Sequence, residues 1–403
     1  MQKVWLDIFV SASKALLSSA DTNTKITAVC ISGNGPSLIV KCENEKYFSY
    51  LWNEKATLTK AEDGFLEQDI LKNAKHSIFL PRLIDLKYNY PEIFASATKI
   101  FSGPEFLLHA ITKNKAEITL LPETRFQNAY WNNDMLLECG IKKDLLPPFC
   151  KLFEEIGNLS DEMLFELSLP AKAKIPVFCG GPDFVAALIG TNTLFPNRIC
   201  DRSGSSEGIN LCCENPSVKE VSDVADLVTP KLTISPTVLV QSLETNSAPS
   251  PMQADLAAMS TMPTPQESTP QSISPTASLK TKIRVMPSVI PNLWNKSVII
   301  PESGSLAEKS SEWKNLSSKI LDAYKTILEQ ANRNEIDKIA CCGGQTLNTE
   351  WMKYKTSLLK ENFGISLYKS NCSESELIGD AAIALAALNK ENDIRKVTER
   401  IVK

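Results

Sequence analysis

Histidine is nearly absent: His76 and His109 are the only two in 403 residues. That leaves little room for imidazole-based acid–base catalysis or histidine metal ligation. The 11 cysteines include no Cys-x-x-Cys pair, so the common zinc and dithiol spacings are missing. Two adjacent pairs, Cys212-Cys213 and Cys341-Cys342, sit in apolar runs and read as small core residues in a reducing compartment. Neither Gly-x-x-x-x-Gly-Lys-Ser/Thr nor Gly-x-Gly-x-x-Gly occurs, which excludes two widespread phosphate cradles. No apolar run approaches the ~18 residues needed to cross a bilayer. The opening Met1-Gln2-Lys3-Val4-Trp5-Leu6-Asp7 lacks the basic, apolar, small-residue order of a secretory leader. Nor is there a basic block, since acids and bases are interspersed and the net charge is −4; a nucleic-acid partner would ask for a basic face. These absences predict a cytoplasmic protein that binds neither membrane nor nucleic acid.

What is present is ordinary globular material. Hydrophobic residues make up 43% and charged residues 22%, enough for two or three domains with true cores. One stretch stands apart. From Ser242 to Lys282 the chain repeats Thr-Pro and Ser-Pro steps without an aromatic residue or a period of 2 or 3.6. It cannot bury enough apolar area to offset its ordering entropy and is expected to be disordered. It reads as a tolerated surface insertion, because long loops cost little; a regulatory linker is the competing reading.

On either side the pattern is α/β. An amphipathic helix from Trp5 to Leu17 precedes a β-rich run, Ile26 to Ile31, that ends at Ser32-Gly33. Val177-Phe178-Cys179 leads through Gly180-Gly181 to a helix, Phe184 to Leu188. Ile339 to Cys342 leads through Gly343-Gly344 to a helix from about Thr349 to Lys360. Glycines where strands end suggest functional loops at those ends.

Three short segments carry chemistry. In Gly180-Gly181-Pro182-Asp183 a carboxylate stands at a helix start, where it can take a proton as a general base or simply cap the helix. In Asp201-Arg202-Ser203-Gly204-Ser205-Ser206-Glu207-Gly208 a glycine among serines offers backbone N–H groups and hydroxyls to phosphate oxygens, though such residues are also ordinary turn formers. In Cys342-Gly343-Gly344-Gln345-Thr346-Leu347-Asn348 paired glycines allow close approach of a ligand near a helix N-terminus; a plain strand-to-helix turn explains them equally.

Their order is more telling than any one of them. Ile31-Ser32-Gly33, Leu51-Trp52-Asn53-Glu54, Trp131 with Leu145-Leu146-Pro147-Pro148, Gly180-Gly181-Pro182-Asp183, Gly204-Ser205-Ser206, Gly343-Gly344 with Trp351, and Glu376-Leu377-Ile378-Gly379-Asp380-Ala381-Ala382 follow one another along the chain. This succession resembles the FGGY carbohydrate kinases, the family of xylulokinases and glycerol kinases. Arg284 to Asn295 resembles part of the same family's C-terminal domain. The resemblance implies an α/β fold of two ribonuclease-H-like (actin-like ATPase) domains with a cleft between them. A sugar-binding N-terminal domain would occupy 1–190 and a nucleotide-binding C-terminal domain 191–403, with 242–282 inserted. The implied reaction is phosphoryl transfer from ATP with Mg2+ to a sugar or polyol hydroxyl, and the family likeness is compatible with a homodimer. Asp183 matches the catalytic base and also faces substrate. Gly204, Ser205 and Ser206 match the loop along the nucleotide phosphates, Ser205 standing where threonine is usual. Gly343, Gly344 and Asn348 match positions beside the nucleotide, and Asn34 falls in the sugar-facing segment. No residue is singled out as a metal ligand.

The sequence also departs from the family. Its opening Asp-x-Gly-Thr-Thr hairpin is not found, so the N-terminal sheet is expected to lack its first strands and to leave an open edge beside the strand at Ile26. Trp-x-Asp-x-Arg becomes Trp52-Asn53-Glu54-Lys55-Ala56, and Ser-Gly-Gln-x-His-Gly becomes Ser32-Gly33-Asn34-Gly35-Pro36-Ser37. These changes raise a second reading: a catalytically inactive relative that binds ligand or partners.

Overall fold

The computed structural model describes residues 2–402 apart from 22–23, 34–36, 52–53, 55, 57, 59–65, 75–76, 78, 114–117, 120–130, 132, 151–153, 196, 205–206, 214–237, 240–283, 291–305, 330, 332, 337, 371–373 and 392. The Pro/Ser/Thr-rich stretch 242–282 lies outside the described residues, as do Asn34, Ser205 and Ser206.

The first half of the chain runs through α1 (Gln2–Ser19), β1 (Val29–Gly33), β2 (Leu38–Cys42), β3 (Tyr47–Tyr50), α2 (Leu80–Asn89), β4 (Ala97–Phe101) and α3 (Gly103–Thr112). Two short strands follow, β5 (Ile118–Thr119) and β6 (Phe149–Cys150), then β7 (Glu155–Asn158), β8 (Pro176–Pro182) and α4 (Asp183–Gly190). Strand β1 pairs in parallel with β8, and β7 runs antiparallel on the far side of β8. Among the described residues no strand lies on the second edge of β1. Strand β1 starts at Val29, later than the predicted Ile26, because its ladder on β8 begins at the Val29–Val177 pair. The preceding Pro176 has no N–H with which to extend it.

The second half contains β9 (Ile199–Ser203), β10 (Glu207–Cys213), β11 (Val238–Leu239), β12 (Arg284–Ile290), α5 (Leu306–Leu328), β13 (Lys338–Cys342), α6 (Thr349–Phe363), β14 (Ser366–Lys369), α7 (Ser375–Asn389) and α8 (Ile394–Ile401). Its sheet has the order β11-β12-β10-β9-β13-β14. Strands β9, β10 and β12 are antiparallel, while β13 and β14 lie parallel to β9. Setting aside the two-residue β11, the unit's strands run third, second, first, fourth, fifth. That is the ribonuclease-H-like arrangement.

The period-2 alternation of a strand decides what this sheet presents on each face. Ile199 and Ile209 join Ile320, Tyr324, Ile339, Trp351 and Leu359 in a core under α5 and α6. Cys200, Cys212 and Cys342 face the other way, into a core shared with Val185, Leu188, Ile189, Ala382, Ile383 and Ala386 of α4 and α7. These cysteines are buried with free thiols, as expected of small core residues. His109 stacks on Phe101 with ring centroids 5.0 Å apart.

Helices α4 and α7 each follow the last strand of their sheet, and they pack on one another across the molecule. Gly190 lies against the Ser375 carbonyl and Gly379 against the Ala186 carbonyl, leaving no space for a Cβ at either position. Glycine is what allows this backbone-to-backbone approach.

Candidate functional site

Asp183 is the first residue of α4, and Pro182 holds the cap position. The sequence expectation needs correction here. Gly180 and Gly181 do not form a loop: they lie inside β8, which continues to Pro182 through an irregularity at which Gly181 takes a φ of +74°. Gly180 instead makes room for a neighbour, since a side chain there would collide with the Asp380 carboxylate and the Cys30 and Ser32 side chains. The β1–β8 register shifts by one residue at this place, Ile31 pairing with Cys179 and Ser32 with Gly181. The Asp183 side chain accepts from the Phe184 N–H at 2.6 Å and remains partly exposed.

Across from it, β9 and β10 form a tight hairpin in which Ser203 pairs with Glu207 and Arg202 with Gly208. Arg202 reaches over Gly208, whose missing Cβ would lie 3.2 Å from the guanidinium. The guanidinium continues towards α4, where Nη1 stands 3.8 Å from Asp183 Oδ1 and Cζ lies 5.8 Å from the Phe184 ring centroid. Glu376, on α7, completes this acidic and basic patch. Burial raises its carboxyl above the ordinary range, Arg202 works against that rise, and Asp183 adds to it.

The third segment meets the hairpin from the side. Gly343 has a φ of +93°, and a Cβ there would lie 2.6 Å from the Ser203 carbonyl oxygen and 3.1 Å from the Gly204 nitrogen. Only glycine suits both the dihedral and the contact. Gly344 has no such constraint, because nothing lies within 4 Å of its would-be Cβ. The helix start does not follow these glycines directly: a 3-10 turn, Gly344–Leu347, intervenes before α6 begins at Thr349. Asn348 caps α6, its side-chain oxygen accepting from the Trp351 N–H at 3.0 Å. Gly204 and Gly343 thus meet at one end of the β9–β10 hairpin, and the Arg202 side chain links that hairpin to Asp183. Gly344 and Asn348 flank the hairpin, while Asn34, Ser205 and Ser206 lie outside the described residues.

Sequence reasoning missed three features. Arg202 stands two residues before Gly204 and faces α4 by strand alternation alone. Asp380 on α7 accepts from Ser32 Oγ at 2.7 Å and lies 3.6 Å from Cys30 Sγ, tying α7 to β1. Lys355 occupies the buried face of α6 between Trp351 and Leu359, which are themselves buried. A lysine in an i, i+4, i+8 series with two core residues was the available signal.

No family model matches the sequence. It is 26% identical over 235 residues to a xylulose kinase of Bacillus subtilis, covering 54% of this chain and 45% of that protein. It is 26% identical over 189 residues to a xylulose kinase of Lactococcus lactis, covering 43% and 37%. The chain therefore spans less than half the length of the curated relatives it matches. Solved structures agree over far more of it. Ligand-bound xylulose kinase from Lactobacillus acidophilus superposes with a TM-score of 0.63 at 14% identity, covering 99% of this chain and 82% of that one. Plasmodium falciparum glycerol kinase with ADP gives 0.65 at 13% identity, covering 100% and 83%. These likenesses support an assignment to the FGGY carbohydrate kinases. Its fold is the two-domain actin-like ATPase fold of those solved kinases. Among the described residues no helix is long and apolar enough to cross a membrane, and no cluster of three or more histidine, cysteine or acidic residues is placed to hold a metal.

Proposed function

We propose that this protein transfers a phosphoryl group from MgATP to a hydroxyl of a sugar or polyol, with Asp183 as the general base. The observation that carries this reading is that Arg202, on the hairpin whose Ser203 and Gly204 backbone packs against Gly343, reaches within 3.8 Å of Asp183. A base for the acceptor hydroxyl and a glycine-lined backbone for phosphates belong on opposite sides of a transferring phosphoryl group, and the Arg202 link between Asp183 and the hairpin supports that pairing. The nucleotide with its magnesium is read as substrate, supplying the phosphoryl group. The chain's own residues do the rest. Asp183 accepts the hydroxyl proton, Gly204 and Gly343 present bare backbone to phosphate oxygens, and Arg202 sets a fixed positive charge beside the reacting centre. Xylulose is the first acceptor to try, because the curated relatives are named for it.

The test is ADP release with a panel of pentuloses, hexoses and polyols. The wild type should turn over at least one acceptor, and Asp183→Asn should lower kcat by about 10²–10⁴-fold with acceptor affinity little changed. A second reading, a relative that binds without turnover, draws support from the Arg202 guanidinium 3.8 Å from Asp183, a positive charge that lowers the basicity of its carboxylate. MgADP binding without turnover on any acceptor would select it.

A further inference from the structure

The most heavily buried charges in the described residues stand directly behind the hairpin that carries Gly204. Lys355 of α6 is fully buried, as are Asp201 of β9 and Glu207 of β10. The Lys355 ammonium lies 2.6 Å from Asp201 Oδ2, donates to Glu207 Oε1 and donates to Ser203 Oγ at 3.1 Å. The Tyr324 hydroxyl of α5 closes the group by donating to Asp201. Asp201 and Ser203 precede the 204–206 loop and Glu207 follows it, so one ammonium holds both arms of the hairpin at its closed end.

Stability alone does not explain such an arrangement. A buried ion cluster is commonly no more stabilising than apolar side chains of the same volume, and Trp351 and Leu359 show that this face of α6 takes them readily. Its charge balance is suggestive as well. Burial raises the Glu207 carboxyl to about 8, with Asp201 adding to the rise. Burial also works against the Lys355 ammonium, but Asp201 and Glu207 outweigh it and hold the charge in place. Near neutral pH the group is one carboxylate, one ammonium and one neutral carboxyl, which puts no net negative charge behind the hairpin.

We propose that Lys355 is a positioning residue for the phosphate side of the nucleotide site, clamping β9 to β10 so that the Gly204 backbone is preformed against Gly343. The inference rests on the kinase reading above and deepens it. Lys355 touches no substrate. It acts through Asp201, Ser203 and Glu207, and because α6 also begins at the Asn348 cap, it joins that capped end of α6 and the hairpin into one rigid body. A preformed Gly204 backbone spares a ligand the cost of ordering it, so the clamp's effect falls on groups that touch Gly204 and not on the rest of the nucleotide.

Calorimetric titration of the full-length protein with MgADP, and separately with adenosine, tests this. In Lys355→Met the Kd for MgADP should rise by about tenfold or more, with the Kd for adenosine kept within about twofold. Because Lys355→Met leaves two acids buried without their cation, the double variant Lys355→Met/Glu207→Gln serves where the single one does not fold, with the same expectation. An unchanged MgADP affinity in a folded variant would overturn the proposal, as would equal losses for MgADP and adenosine, which mark general loosening. A wild type that binds no MgADP would instead sink the kinase reading itself.

Discussion

Two acids are deeply buried, Asp201 in the C-terminal sheet and Asp380 of α7 against the N-terminal one, and burial pushes both towards the neutral form. Their outcomes differ in sign. At Asp201 the Lys355 ammonium, with hydrogen bonds from Lys355 and Tyr324 among others, outweighs burial and holds the carboxyl below its ordinary range. At Asp380 burial prevails, because the donors from Ser32 and Cys30 are neutral, and the carboxyl is raised to about 7. Burial sets the cost of a charge, and the partner decides whether it is met. The β9–β10 hairpin therefore rests on a fixed charged group, whereas the contact of α7 with β1 carries an acid that titrates near neutrality.

Removing the cation should expose that difference most strongly. Lys355→Met leaves Asp201 and Glu207 without their common partner and should cost about 3–5 kcal/mol in a urea melt. Asp380→Asn, which removes a carboxyl that has no cation to lose, should cost nothing comparable at neutral pH. Equal losses would mean that Lys355 contributes packing alone and that the contrast between the two acids is misdrawn.

A smaller effect separates the two glycines beside the hairpin. Gly343→Ala places a Cβ against the Ser203 carbonyl at a positive φ and should destabilise the protein by about 2–3 kcal/mol. Gly344→Ala meets nothing and should stay within about 0.5 kcal/mol. Matching thermal shifts for the pair would show that the hairpin yields easily, contrary to a clamped loop.

The strand-to-helix order, the α1, α4 and α6 helices and the position of Asp183 were legible in the sequence, because each rests on local periodicity or on a glycine next to a strand. The contacts between segments were not. Nothing local says that Arg202 crosses to α4 while its neighbour Asp201 turns to α6; that follows from strand alternation once the sheet's two faces are known. Gly180 shows the limit from the other side. It read as turn chemistry, yet it stays in the strand, and its missing side chain serves a carboxylate 200 residues later in the chain. Only the fold brings that acid near, so no pattern in the segment itself carries the signal.

Asp380 gives the smallest and most selective test. Its carboxyl is ordinarily near 3.8 and is raised to about 7 in the folded protein, so the folded chain holds a proton that the unfolded chain releases. The stability linked to this group is fully present below about pH 4 and is lost as pH rises towards 7, because the unfolded state then binds fewer protons. Asparagine keeps the shape and the Ser32 contact without a titrating proton, so Asp380→Asn should lack this component. Glu207 slopes in the same direction but is common to both proteins, and the difference between wild type and variant cancels it. Melting temperatures at pH 4 and pH 8 should therefore be close at the lower pH and diverge at the higher, with the variant more stable by a few degrees, at about 1 °C per kcal/mol for a chain of this size. A parallel pair of curves would mean that Asp380 stays ionised throughout. Ser32 and Cys30 would then suffice to hold a charge against burial, and the distinction drawn from Lys355 would lose its cause.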